Sequence, residues 1–221
     1  MAKKKDSTEV QRRQPPDLPV DMDELAGVTA EELSAGLLID EGRAVGGDLS
    51  GRKLLALDAR VSVFEGVSFA GCEISTVRLR DSRFVRCDLS NARVRGIQAT
   101  RVAFVDCRLT GLAGIECVWQ DVLLENCDGR YAQFTDGRLH GFEAVGTDLS
   151  EADLRGVSLE NATFSGVNLA RADLSGARLR HADLRGADID GITVGADDVR
   201  GAIVTPAQAI GLAPLLGISV R

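Results

Sequence analysis

A large apolar residue returns every five positions along most of this chain. In its most regular part it falls at Leu149, Leu154, Leu159, Phe164, Leu169, Leu174, Leu179, Leu184 and Ile189. Two places before most of these stands a smaller apolar residue, as in Ala152, Val157, Ala162, Val167 and Ala172. The other three positions are polar or glycine. A helix repeats its faces about every 3.6 residues and a strand every two, so a period of five fits neither. A short fixed repeat points to a solenoid, in which each unit buries its apolar side against its neighbours.

The register runs from Leu49 to Val204 without an insertion. Its apolar position is small at Ala59, Ala99, Gly114, Gly129 and Ala144. EADLR, RADLS, HADLR and GADID are close variants of one motif, and NARVR, DSRFV and RCDLS looser ones. They resemble the pentapeptide repeat family, whose unit is A-[DN]-L-x-x. The resemblance covers residues from about 45 to 204. It implies an all-β solenoid: a right-handed quadrilateral parallel β-helix of about eight coils, with short helical caps at both ends. Four pentapeptides make a coil, with the central residue and the one two before it pointing inward. At about 4.8 Å per coil, eight coils make a rod of roughly 38 Å. Glycine or asparagine two places after the centre (Gly66, Gly71, Asn91, Gly96) suits tight corners. Residues twenty apart should stack, placing Phe64, Phe84 and Phe104 in one column that Leu124, Ala144, Phe164 and Leu184 continue.

The ends depart from the repeat. Residues 1–20 are charged, carry Pro15 and Pro16, and read as a disordered tail. Residues 21–44 read as an N-terminal helical cap: Asp21 with Glu24 and Thr29 with Glu32 both have capping-box spacing. Residues 45–204 form the β-helix, and residues 205–221 a C-terminal helix started by Thr205 and Pro206. The resemblance implies a homodimer through that last helix.

Composition narrows the chemistry. Apolar residues make up 44% and aromatics 4%, so the core is built from small and aliphatic side chains. The net charge of −7 disfavours direct nucleic-acid binding. No apolar run reaches the roughly 20 residues of a membrane span, and no apolar segment follows Lys3, Lys4 and Lys5 as in a secretion signal. A cytoplasmic protein is expected. All five cysteines stand two before a centre, where they serve as small buried side chains. His140 and His181 face outward two coils apart. No nucleophile with a base, phosphate loop or convergent acid pair is present, so the expectation is no enzyme, no cofactor and no metal.

Function is then expected on the outside, as protein binding. Residues 44–110 hold 11 Lys and Arg against 7 Asp and Glu; residues 111–194 hold 7 against 14. The family resemblance implies a DNA-mimicking rod whose partner is DNA gyrase or another topoisomerase, and the acidic second half suits that; the arginine-rich first half does not. Asp148, Asp153, Asp173, Asp183 and Asp188 are the acidic candidates for the partner surface. The alternative is a rigid adaptor that uses the irregular stretch 111–131, with outward Val118, Leu123 and Tyr131.

Overall fold

The computed structural model describes residues 13–35 and 38–219. The repeat winds into a parallel β-solenoid of about eight coils. Through the repeats partners lie twenty residues apart, as in Asp58 with Arg78, Arg78 with Gln98 and Gln98 with Val118, apart from a local shift that pairs Ser165 with Gly186. Each coil therefore has four sides of five residues. Side 1 comprises 47–51 and its equivalents every twenty residues, side 2 52–56, side 3 57–61 and side 4 62–66. Backbone amides donate from coil to coil, as from Leu49 to Ser68 (2.8 Å) and from Leu149 to Asn168 (2.8 Å).

The corners explain the glycine and asparagine positions. The residue two after the centre takes a left-handed backbone at Gly66, Gly71, Asn91 and Gly96. Asp81, Arg101 and Val61 take it as well, and Val61 (φ 47°) is the costly one because a β-branched side chain crowds that conformation.

Sides 3 and 4 of the first half run as continuous strands through their corner, at Leu57–Glu65, Val77–Val85, Ile97–Val105 and Val118–Glu125. These segments are rich in Val and carry Phe64, Phe84 and Phe104, residue types that favour extended backbone. In the consensus-like second half the coils hold on mostly by single bridges, such as Asp148 with Asn168 and Asp153 with Asp173.

Inside, the aromatic column forms as the spacing requires. The Phe64 and Phe84 rings stack 4.5 Å apart, and Phe84 and Phe104 4.9 Å apart. The small centres are filled by a swap of volume within the same pentapeptide. Leu57 accompanies Ala59, Ile97 accompanies Ala99, Leu112 accompanies Gly114 and Phe142 accompanies Ala144, all buried. Phe142 thus takes over the aromatic column at Ala144, 5.9 Å from the Phe164 ring. Gly129 is the exception: its space is taken by the Leu149 side chain, whose Cδ2 would lie 2.8 Å from a Cβ there.

Restoring the consensus at Gly114 should therefore harm the fold. A Cβ there would lie 2.7 Å from Cys117 Sγ and 3.0 Å from Ile97 Cδ1. Gly114→Leu should lower stability by about 1–3 kcal/mol, the usual cost of overpacking, read as a drop in the midpoint of urea unfolding.

The ends differ in part from expectation. Thr29 caps α1 (Ala30–Ser34) with the complete box, its side chain accepting from Glu32 and Glu32 accepting from the Thr29 amide. Asp21 instead caps a single 3-10 turn, Met22–Glu24, by accepting from Asp23. The solenoid starts before residue 45: Leu38–Asp40 and Gly42–Val45 already pair with Asp58–Arg60 and Val63–Glu65. Ile39 and Ala44 occupy inward positions one coil below Ala59 and Phe64. At the far end Thr205 caps α2 (Pro206–Leu212) with a second box through Gln208, and Gln208 Nε2 also donates to the carbonyls of Leu184 and Ala187. Those bonds tie α2 to the last complete coil.

Candidate functional site: the outer sides and the N-terminal strap

The interior is occupied by the protein's own side chains. Its apolar void beside Phe84, Ala99, Phe104 and Trp119 measures about 40 Å³, room for about one water. Trp119 is buried there with its Nε1 unpaired, and nothing in its surroundings accounts for that polar atom. The cysteines are free, buried thiols. Cys87, Cys107 and Cys127 donate to the carbonyls of Phe64, Phe84 and Phe104 at 3.3, 3.5 and 3.4 Å. Burial pushes the Cys117 thiol up to about 12. Among the described residues no group of three His, Cys, Asp or Glu is placed to hold a metal. An aromatic disulfide reagent at pH 8 should accordingly titrate no thiol in the native protein and all five after unfolding, because all five are buried out of the reagent's reach in the folded rod.

The carboxylates before each centre have a local task. Asp148, Asp153, Asp173, Asp183 and Asp188 each accept from the amide two residues on, at 2.9, 3.2, 2.9, 3.2 and 3.0 Å. This Asx turn explains why Asp or Asn fills that position. The five do not form one acidic surface: Asp148 and Asp188 lie on side 1, Asp153 and Asp173 on side 2, and Asp183 on side 4. Arg155 pairs with Asp153 (2.7 Å) and approaches Asp173 (3.8 Å), and Arg185 pairs with Asp183 (2.7 Å). These hydrogen bonds from Arg155 and Arg185 hold Asp153 and Asp183 below the usual carboxylate range. On side 1, Asp148, Asp188 and Asp190 carry the acidic surface that remains, with Arg130 engaged by Asp128 and Arg171 by Glu151.

The apolar candidates also separate. Val118 is half exposed on side 3, and Tyr131 is half exposed at the corner after side 1. Leu123 lies on side 4, partly buried. They make no common surface, because a step of five turns the chain by one side.

Leu123 is shielded by the chain's own N-terminal segment. Residues 13–20, expected as part of a disordered tail over 1–20, instead make contacts with the rod; residues 1–12 lie outside the described residues. From Met22 the chain runs back along the rod over side 4. The Asp17 amide donates to Asp81 Oδ1 (2.9 Å), and Arg13 Nε reaches Glu143 Oε2 (3.0 Å), three coils further on. Between these two contacts Pro15, Pro16 and Leu18 line a shared cleft with Arg83, Ala103, Val105, Leu123 and Glu125.

Two features anchor this strap. The first is a partly apolar outer side: Val85, Val105 and Val145 share an outward column with Val45, interrupted by Glu65 and Glu125, where the repeat elsewhere places polar residues. Val45 is 66% exposed, whereas Val105, under the strap, is 9% exposed. The second is Asp81, a buried carboxylate at a corner. Arg101 donates to both of its oxygens, with Nε at 2.6 Å from Oδ1. Burial raises its pKa, but the Arg101 and Asp17 donors outweigh that and hold it below the usual carboxylate value. The outward valines and the Arg-Gln-Pro-Pro segment were the signal in the sequence; the tail's composition concealed it.

A family model for pentapeptide repeats (8 copies) matches residues 147–186, and one for a pentapeptide repeat region matches residues 77–143. The chain is a pentapeptide repeat protein. Solved pentapeptide repeat structures resemble it at low identity. A trypsin-treated form of QnrB1, a plasmid-mediated fluoroquinolone resistance protein, is 26% identical, with 84% of this chain and 91% of that chain covered and a TM-score of 0.35. A second trypsin-treated QnrB1 form is 24% identical, covering 88% and 95%, with a TM-score of 0.40. HetL, involved in heterocyst differentiation regulation in the cyanobacterium Nostoc sp. strain PCC 7120, is 22% identical, covering 76% and 86%, with a TM-score of 0.25. No curated protein sequence matches the chain. No helix among the described residues is long and apolar enough to cross a membrane.

Proposed function

We propose that this pentapeptide repeat protein works without catalysis, as a rigid rod that binds another protein through its outer sides. The observation that carries this reading is the filled interior: among the described residues a stacked Phe64–Phe84–Phe104 column, with a void of about 40 Å³ beside it, occupies the inside and leaves the outer surface to act. The acidic end of side 1, with Asp148, Asp188 and Asp190, suits a partner whose own surface holds nucleic acid. DNA gyrase is the partner that the family resemblance brings to this chain, with the rod standing in for DNA. Ion-paired Asp153 and Asp183 confine that mimicry to side 1. The exposed apolar residues Ile210, Leu215 and Ile218 at the C-terminus support a homodimer joined there.

A gyrase supercoiling assay, with and without a quinolone, tests the partner. Inhibition of supercoiling or protection from the drug at micromolar protein is expected, weakened by Asp148→Lys with Asp188→Lys. No effect of the wild-type rod at that concentration overturns gyrase as the partner.

A further inference from the structure

Side 4 is built to hold an extended peptide, and the chain's own strap shows which kind. The strap contacts the rod in three ways. An arginine, Arg13, pairs with Glu143 at 3.0 Å. A pair of prolines, Pro15 and half-buried Pro16, lines one cleft with Ala103 and Val105, which are both buried. A backbone amide, that of Asp17, donates to the buried carboxylate of Asp81 at 2.9 Å. The geometry is set by the coil spacing. From the coil of Asp81 to that of Glu143 is three steps of about 4.8 Å, about 14 Å. From residue 17 to residue 13 an extended proline-rich chain covers about 12 Å at about 3.1 Å per residue, and the Arg13 side chain supplies the rest. Prolines stiffen such a segment before it binds, so little ordering is lost on docking.

Most of what holds the strap would hold any segment of the same chemistry. None of the three contacts lies in the continuous solenoid core, and the strap joins the rod only at its C-terminal end, near Met22. Asp81 keeps Arg101 as a partner without the strap, so the rod retains a satisfied carboxylate when the side is open. We infer that side 4 of coils two to five is a peptide-docking groove, filled here in cis, that takes a partner's extended segment bearing an arginine two residues ahead of paired prolines. The tether gives the strap a millimolar effective concentration, so a partner segment of equal intrinsic strength competes poorly until the strap is released. This rests on the reading of the protein as a protein-binding rod, but not on gyrase: it concerns side 4, whereas the gyrase surface is side 1.

The test uses the full chain with the strap loosened by Arg13→Ala and Asp17→Pro, which remove the ion pair and the amide donor and change no residue of the rod. The probe is a fluorescent peptide of residues 13–20, RQPPDLPV, followed by anisotropy. The loosened chain should keep the circular dichroism of the wild type and bind the peptide at least tenfold more tightly than the wild type does. Adding Glu143→Arg to the loosened chain should abolish binding of that peptide and restore it for a peptide with glutamate at its first position. A loosened chain that stays folded yet binds no better than the wild type overturns the groove. A loosened chain that unfolds also overturns it, by making the strap a structural part of the rod. The supercoiling assay is indifferent to all of these outcomes, so the two readings fail separately.

Discussion

Phe142→Ala should lower the stability of the rod by about 3–5 kcal/mol, the range for deleting a buried aromatic side chain. Nothing in the repeat motif marks Phe142 as central. It stands two before the centre, where the family places alanine. Yet it is buried between Trp119, 6.1 Å away, and Phe164, 5.9 Å away, and fills the column that Ala144 leaves empty. Removing it leaves two small residues in one pentapeptide and a cavity that the rigid coils above and below cannot close. Because a solenoid is stabilised by neighbour contacts, the loss should split the unfolding transition, with coils on either side melting apart. Urea unfolding followed by circular dichroism and by Trp119 fluorescence would show it. Ala144→Leu added to Phe142→Ala should recover part of the loss by reversing the swap.

The second large effect is at Asp81. Asp81→Asn keeps the shape of the side chain and removes the charge that Arg101 and the Asp17 amide both contact. Hydrogen bonds to a charged group contribute roughly 1.5–3 kcal/mol each, and Arg101 is partly open to solvent, so a net loss of about 2 kcal/mol is expected. The strap should loosen with it. The pH dependence has a definite sign. The folded carboxyl lies below its unfolded value of about 3.9. Its contribution is therefore complete above that value and is lost as pH falls through the lower, folded value. The wild type should lose stability relative to Asp81→Asn below about pH 4, and the gap between them should be constant from about pH 5 upward. A gap that closes near neutral pH would place the effect on another group.

The solenoid was legible because its signal is periodic. Each inward residue is set by a twenty-residue coil, and any slip would turn a whole side outward, so the sequence repeats what the structure needs. The stacked Phe64, Phe84 and Phe104 follow from that spacing alone. The volume swaps at Ala59, Ala99, Gly114 and Ala144 were less visible, because the compensating residue sits at the other inward position of the same unit. The outer surface was read less well. Five aspartates that recur before a centre look like a charged surface in one dimension, but a step of five residues turns by one side, so neighbours in sequence face different directions. Most of their charge is also spent on Asx turns and on Arg155 and Arg185. The same turning separates Val118, Leu123 and Tyr131.

The strap was hidden for a different reason. Arginine, glutamine and proline side by side have the composition of a solvated tail, because no local pattern of theirs buries apolar surface. Their order comes from side 4, whose outward Val85, Ala103, Val105 and Leu123 lie twenty residues apart in two columns. Sorting outward residues by side, rather than by position along the chain, brings those columns out.

Amide hydrogen exchange at Asp17 tests the strap on side 4 most directly, since that single N–H meets a buried carboxylate in a segment without helix or strand. Near neutral pH it should exchange at least tenfold more slowly than in a free peptide of residues 13–20, and Asp81→Asn should return it to the free rate. Free-peptide exchange in the wild type would contradict a strap docked on side 4.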